Sequence, residues 1–303
     1  MQRSTAGFRI IAIPLDRAAW DAAIIDLDGT LVDTLGDFSV ALNRMLHDLG
    51  ACRALGVESE NAPQRDQFLP DSPPHSGAMG QEAGKKWAAA AHSQPTIPKS
   101  DRLPGLPPIA PAFVATMIGK GSEHLLRSVL KHVLTQAGQA QSAPEIDAQV
   151  EALYARAWPS YQRHYAAING QHAQLYPGAL QGVQALHAAG LRLACLTNKP
   201  LAFARALLHS KGLAPYFAQV FGGDSFAAKK PDPLPLRKTC EALLSAPART
   251  LVVGDSSNDA QAARAAGCPV VLVTYGYNHG QPARSVPADG YIDSLADLLP
   301  LQQ

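Results

Sequence analysis

Four short runs, each nearly continuous in Ala, Val, Ile, Leu and Cys, do most to constrain how this chain can fold: Ala22–Asp26, Leu191–Thr197, Thr250–Asp255 and Val270–Thr274. Runs this short, without polar alternation, read as strands buried on both faces, as in a parallel sheet covered by helices. Helical patterns stand between them, over Gly178–Ala189, Leu201–Lys211 and Asn258–Ala266. Each stops at a glycine (Gly190, Gly212, Gly267), where a left-handed cap is expected. The second half of the chain therefore predicts a parallel α/β architecture.

The segment from about Leu35 to Tyr176 reads differently, with helical patterns and no strand. Phe38, Leu42, Met45, Leu46 and Leu49 recur at helical spacing and stop at Gly50. Glu123–Thr135 and Glu145–Trp158 repeat the pattern, and Pro159 is expected to break or kink the chain there. An all-helical block placed after the first strand is expected to form a cap over the active edge of the sheet. Within it, ten of the chain's 24 prolines lie between Pro63 and Pro111. That composition predicts a poorly ordered surface insertion at 51–105, with one short helix-like patch at Gln81–Ala91. The expected organisation is an extension at 1–20, a catalytic core at 21–35 and 177–303, and a helical cap at 36–176 that contains the insertion.

Composition bounds the function. The 303 residues carry a formal net charge of +1 with acids and bases interspersed, which gives no electrostatic footprint for nucleic acid or an anionic membrane. Cys52, Cys195, Cys240 and Cys268 are far apart and form no CxxC pair, as expected of reduced thiols in a reducing compartment. No apolar run reaches transmembrane length, and Ile10–Ile13 is too short for a signal-peptide core. The expected location is the cytoplasm. Nothing in the sequence fixes an oligomeric state.

In open parallel sheets, ligands bind outside the carboxyl ends of the strands. Four polar segments fall there: Asp26-Leu27-Asp28-Gly29-Thr30, Leu196-Thr197-Asn198-Lys199, Lys229-Lys230-Pro231-Asp232-Pro233 and Val253-Gly254-Asp255-Ser256-Ser257-Asn258-Asp259. Taken singly, each reads as a solvated strand end or loop. In this order they describe one site. Two acids buried together need a cation to share the site, and a divalent metal with a phosphate-bearing substrate meets that need. Other motifs fail. Gly119-Lys120-Gly121-Ser122 is no nucleotide-binding loop, because position 114 is Val and the lysine precedes Gly. There is no GxSxG elbow, and the ten histidines lack zinc-ligand spacing.

On those four segments the chain resembles phosphatases of the haloacid dehalogenase superfamily, and within it the phosphoglycolate phosphatase family. The resemblance covers about Asp21–Gly50 and Leu106–Leu299, with supporting matches at Ile118-Gly119-Lys120-Gly121, Tyr176-Pro177-Gly178 and Lys230 to Leu236. It implies a Rossmann-like parallel sheet with helices on both faces and an inserted helical cap domain.

The resemblance also implies a chemistry. Asp26 attacks phosphorus to form an aspartyl-phosphate, and Asp28 protonates the leaving alkoxide and then activates water. Mg²⁺ is the implied cofactor, held by Asp26, the Asp28 backbone carbonyl and Asp255, with Asp259 fixing a metal-bound water. Gly29, Thr30, Thr197, Asn198 and Lys230 are the implied phosphate-binding residues, Thr197 and Lys230 counting also as catalytic. Lys120, placed in the cap, is a candidate contact for a substrate carboxylate. The implied reaction is hydrolysis of 2-phosphoglycolate, a small-molecule phosphate ester. The alternatives are an amino-sugar 6-phosphate type of sugar-phosphate phosphatase, a phosphomutase on the same scaffold, and a non-catalytic binding protein.

Overall fold

The computed structural model describes residues 19–54, 108–137 and 142–298, with backbone alone at 51–54. Apart from their edges, the extension expected at 1–20 and the insertion at 51–105 lie outside the described residues, as does the helix-like patch at Gln81–Ala91. In chain order the first half contains β1 (Ala22–Ile25), β2 (Val32–Asp33), α1 (Leu35–Ala54), α2 (Pro111–Met117), α3 (Ser122–Gln136), α4 (Ala143–Ile168) and β3 (Gln174–Leu175). The second half contains α5 (Ala179–Ala188), β4 (Arg192–Leu196), α6 (Leu201–Ser210), β5 (Gln219–Phe221), α7 (Leu234–Ala242), β6 (Thr250–Gly254), α8 (Ser257–Ala266), β7 (Val270–Val273) and β8 (Gly290–Ile292).

The described residues divide into two compact units, one of 19–36, 111–125 and 169–298, the other of 37–54, 108–110, 126–137 and 142–168. The first is built on a six-stranded sheet in the order β5-β4-β1-β6-β7-β8. Every pairing in it is parallel, with Ala22 opposite both Arg192 and Thr250. Successive residues of each central strand feed opposite cores, as the period of two demands. Ala23, Ile25, Leu193, Cys195, Leu251 and Val253 pack with Val183, Leu186, Leu207 and Leu208 of α5 and α6. Ala22, Ile24, Ala194, Leu196 and Val252 pack with Leu236 and Cys240 of α7 and with Ala260, Ala262, Ala263 and Ala266 of α8. Helices thus cover both faces, which is the α/β architecture expected. Gly267 ends α8 with φ 82°, as the sequence predicts.

Each expected strand outruns the observed one at its carboxyl end. Asp26, Thr197, Asp255 and Thr274 follow the last ladder residues, so the sheet delivers Asp26, Thr197 and Asp255 together at one edge. A small antiparallel pair, β2 with β3, also belongs to this unit. It corrects the expectation that 35–176 contains no strand.

The second unit is helical among its described residues. Leu42, Met45, Leu46 and Leu49 of α1 are buried, as their spacing predicts. Phe38 stacks on Tyr165, and Tyr165 on Tyr161, at centroid distances of 5.2 and 5.5 Å. Two helix ends differ from expectation. α1 runs through Gly50 to Ala54, since one interior glycine costs only about 1 kcal/mol. α4 runs through Pro159 to Ile168, because buried Val150 and Ala157 before the proline, and Tyr161, Tyr165 and Ile168 after it, share one packed face. That burial offsets the backbone bond lost at the proline.

Candidate active site

The chain leaves β1 through a tight turn. Leu27 O accepts from Leu31 N and Val32 N, both at 3.0 Å, and Gly29 N donates to Val32 O at 2.9 Å. Gly29 has φ +90°, and a Cβ there would stand 2.5 Å from Asp255 Oδ2, so the turn requires glycine both for its conformation and for this close approach. The turn buries Asp26 and Asp28, with Leu27 between them, each against its own buried lysine. Lys230 Nζ donates to Asp26 Oδ1 at 2.7 Å, to Asp259 Oδ1 at 2.7 Å and to Leu196 O at 2.8 Å. Lys199 Nζ donates to both oxygens of Asp28, at 3.0 and 3.2 Å.

The loops after β4 and before α7 are tied by Asn198. Its Oδ1 accepts from Lys230 N at 3.0 Å, while its Nδ2 donates to Lys230 O at 2.8 Å and to Gly119 O at 2.9 Å. Asn258 Nδ2 donates to the same Gly119 carbonyl at 3.1 Å. Ile118-Gly119-Lys120-Gly121 is therefore anchored to two of the expected motifs from within the sheet-bearing unit, where Lys120 lies with its side chain exposed. Thr197 is buried, and its Oγ1 accepts from Lys199 N at 3.2 Å.

At the start of α8, Asp259 and Ser256 form a capping box. Ser256 Oγ donates to Asp259 Oδ2 at 2.7 Å, and Ser256 N and Asp255 N reach the same oxygen at 3.2 and 3.3 Å. Asp255 Oδ2 accepts from Tyr277 N at 2.7 Å, and its Oδ1 stands 3.4 Å from Thr30 Oγ1.

Burial dominates the electrostatics. Loss of solvent, with the charges of Asp259 and Asp28 added, pushes the Asp26 carboxyl up to about 7 against the pull of Lys230. Loss of solvent, then Asp259 and Asp26, likewise raises Asp255 well above the usual carboxylate range. Asp259 moves the other way: the Lys230 charge and hydrogen bond outweigh its burial. Lys230 itself is held above the ordinary lysine range, since Asp259 and Asp26 more than offset its desolvation.

Those directions suit a cation. Asp26, Asp255 and Asp259 offer carboxylate oxygens within 4.8 Å of one another. Asp26 and Asp259 share the single ammonium of Lys230, and Asp255 has no lysine within hydrogen-bond reach among the described residues, a shortfall of positive charge that a divalent ion with a preference for oxygen ligands would meet. The Asp28 carboxylate stands apart from this cluster, on Lys199.

Comparison with known proteins shows the family. The model of the haloacid dehalogenase-like hydrolases matches residues 20–267. The chain belongs to that family. Its hydrolases generally use a divalent metal, as the acidic cluster would allow. A protein of Nitrosospira multiformis named phosphoglycolate phosphatase is 35% identical over 93% of this chain and 95% of its own. One of Thiobacillus denitrificans with the same name is 43% identical over 61% of this chain and 76% of its own. The crystal structure of a predicted phosphoglycolate phosphatase from Haemophilus somnus 129PT superposes with a TM-score of 0.69 at 26% identity, covering 94% of this chain and 99% of that one. With these relatives the chain stands as a phosphoric monoester hydrolase.

Asp26, Asp28, Gly29, Thr30, Thr197, Asn198, Lys230, Asp255 and Asp259 all gather at the one sheet edge. Sequence reasoning missed three others there. Lys199 was visible as the end of Leu196-Thr197-Asn198-Lys199, but nothing local tells its partner. Tyr275 OH donates to Thr30 O at 2.8 Å, and Tyr277 OH donates to Asp33 Oδ1 at 2.7 Å, so the segment after β7 braces the turn. Between them, a Cβ on Gly276 would stand 2.1 Å from Asp255 Cβ, a close approach that the Tyr-Gly-Tyr pattern could have suggested.

Proposed function

We propose that this phosphatase hydrolyses 2-phosphoglycolate to glycolate and phosphate through a phospho-Asp26 intermediate. The observation that carries the reading is the pair Asp26 and Asp28, both buried just after β1 and each on a different buried lysine, with Asp26 also beside Asp255. A binding protein has no use for that expense of desolvation. The substrate comes from the relatives named phosphoglycolate phosphatase at 35–43% identity.

Asp26 attacks phosphorus, and the ester P–O bond breaks with its electron pair on the glycolate oxygen. Asp28, protonated at that point, gives its proton to this oxygen, and glycolate leaves. Water then attacks the phosphorus of phospho-Asp26 while Asp28, now a carboxylate, takes its proton; phosphate leaves and both acids are restored. Dividing the displacement in this way matters because phosphate monoesters need accelerations of up to ~10²¹-fold. Lys230, Thr197, the Asn198 backbone, Gly29 and Thr30 would bind the phosphoryl oxygens, where charge spreads in the transition state. Bound at Asp26, Asp255 and the Asp28 carbonyl, with Asp259 fixing one of its waters, Mg²⁺ would neutralise charge between nucleophile and phosphoryl group. Lys120 would meet the substrate carboxylate.

The test is phosphate release with and without Mg²⁺ from 2-phosphoglycolate and from a panel of sugar phosphates. A metal-dependent kcat/KM at least ~100-fold higher for 2-phosphoglycolate is expected, about 2.7 kcal/mol of transition-state discrimination. Preference for a sugar phosphate would discard the substrate, and turnover unaffected by chelation would discard the metal.

A further inference from the structure

We infer that Lys199 is the positioning residue of Asp28, aiming the carboxyl group that moves protons to and from the reacting oxygens. The inference rests on the acid and base role proposed for Asp28. The geometry divides the two buried lysines between the two acids. Lys230 holds Asp26 and Asp259, whereas Lys199 Nζ lies within 3.0 and 3.2 Å of the two Asp28 oxygens. The Lys199 side chain is 1% exposed and that of Asp28 9%, so water contributes little to orienting either.

The lysine is itself fixed at its base. Its N donates to Thr197 Oγ1 at 3.2 Å and its carbonyl accepts from Gly223 N at 2.8 Å. Its Cα follows β4, the strand hydrogen-bonded to β1, which ends in the Asp26–Gly29 turn. Two neighbouring strand ends thus hold donor and acceptor in register.

A buried ion pair adds little net stability compared with apolar packing, so stability alone does not account for a second lysine here. Proton transfer does. A carboxyl group on a short side chain can rotate, and a catalytic group must be held within roughly 0.5 Å and 10–20° of its productive pose. One ammonium touching both oxygens fixes the plane of the carboxyl group while leaving its outer lone pairs to the substrate. Lys199 acts through Asp28 and needs no contact with substrate.

The experiment is single-turnover phosphorylation of the Mg²⁺-loaded enzyme by 2-phosphoglycolate and by 4-nitrophenyl phosphate, whose leaving group needs no proton. Lys199→Met is expected to slow the first at least ~100-fold and the second less than ~5-fold, within the range that a positioned acid contributes. Lys199→Arg, which keeps a cation, should recover part of the first rate. In an Asp28→Asn background, Lys199→Met should add nothing to the difference between the substrates. Equal losses on both substrates would overturn the inference, as would a KM rise common to both with kcat intact, or a further leaving-group effect in the Asp28→Asn background. Where Lys199→Met fails to fold, Lys199→Gln, of similar reach and still a hydrogen-bond donor, is put through the same comparison. Asp28→Asn serves as the control: if its own losses are equal on both substrates, the acid role falls and this inference with it. A leaving-group effect in Asp28→Asn but not at Lys199 overturns the Lys199 inference alone.

Discussion

Lys230 reaches Asp26 at 2.7 Å across the sheet edge, and the same ammonium reaches Asp259 at 2.7 Å. One cation is thereby shared by the acid that ends β1 and an acid in the first turn of α8. It does not suffice for the group as a whole, because burial still pushes Asp26 up to about 7 and Asp255 upward as well. The site is built with an excess of negative charge, and its stability is expected to depend on what else binds there.

Divalent metal should therefore stabilise the protein as well as activate it. At ~100 times its dissociation constant, an ion that binds only the folded state adds about 2.7 kcal/mol. Thermal unfolding in EDTA and in Mg²⁺ should show that gain in the unaltered chain. Asp255→Asn should lose most of it, since it removes one of the three oxygens that converge within 4.8 Å. An equal gain in both proteins would place the ion elsewhere.

Asp26, the nucleophile we propose, should be a stability liability. Asp26→Asn should abolish turnover, yet in EDTA it should leave stability within about 1 kcal/mol of the parent or raise it. The substitution removes a desolvated charge that Asp259 and Asp28 repel, and Lys230 keeps Asp259 as partner. Retained turnover, or a loss well beyond that margin, would contradict the assignment.

A separate cluster in the helical unit predicts an acid limb. Asp48 Oδ2 accepts from Ser160 Oγ at 2.7 Å and Arg163 Nη2 at 2.7 Å, and lies 2.8 Å from His164 Nε2. Burial raises the Asp48 carboxyl, but the hydrogen bonds of His164 and Ser160 and the charges of His164 and Arg163 together outweigh it and hold it at about 2. An acid lowered on folding binds its proton more readily in the unfolded chain. Its stabilisation is therefore complete above about pH 4 and fades as pH falls towards 2. With Asp48 a third exposed, solvent screening limits the effect to about 1–2 kcal/mol. Asp48→Ala should be less stable by that amount at pH 6, and the two urea midpoints should converge by pH 2.

Legibility followed burial. The central strands β1, β4, β6 and β7 could be read because both faces are covered and the runs are continuously apolar. The edge strands β5 and β8 could not, since Gln219–Phe221 is half-buried throughout and Gly290–Ile292 nearly so, which leaves little pattern in three residues. Most residues expected at the catalytic edge could be read because they follow a strand end or stand in the first turn of a helix, whereas Lys230, in the loop before α7, could be read from the Pro231 that follows it. Lys199 and Asp28 are 171 residues apart, and no local spacing carries that pairing. Tertiary contact also brings Cys240 and Cys268, which form no pair in sequence, to an Sγ–Sγ distance of 3.8 Å.

Gly29→Ala makes the tightest test of how the turn serves the site. At φ +90° an L-residue is strained by about 1–2 kcal/mol, and its Cβ would stand 2.5 Å from Asp255 Oδ2 and 2.8 Å from Tyr277 Cδ2. Asp255 cannot easily yield, because Tyr277 N holds the same oxygen at 2.7 Å and Gly276 backs its Cβ. The strain should therefore be relieved by moving Asp28 and the turn rather than α8. Turnover should fall at least ~100-fold, with a stability loss of about 2 kcal/mol or more and weaker stabilisation by Mg²⁺. Calorimetric titration of Mg²⁺ alongside single-turnover rates checks both consequences. Unchanged metal affinity with unchanged rate would mean that the turn has room the geometry denies it.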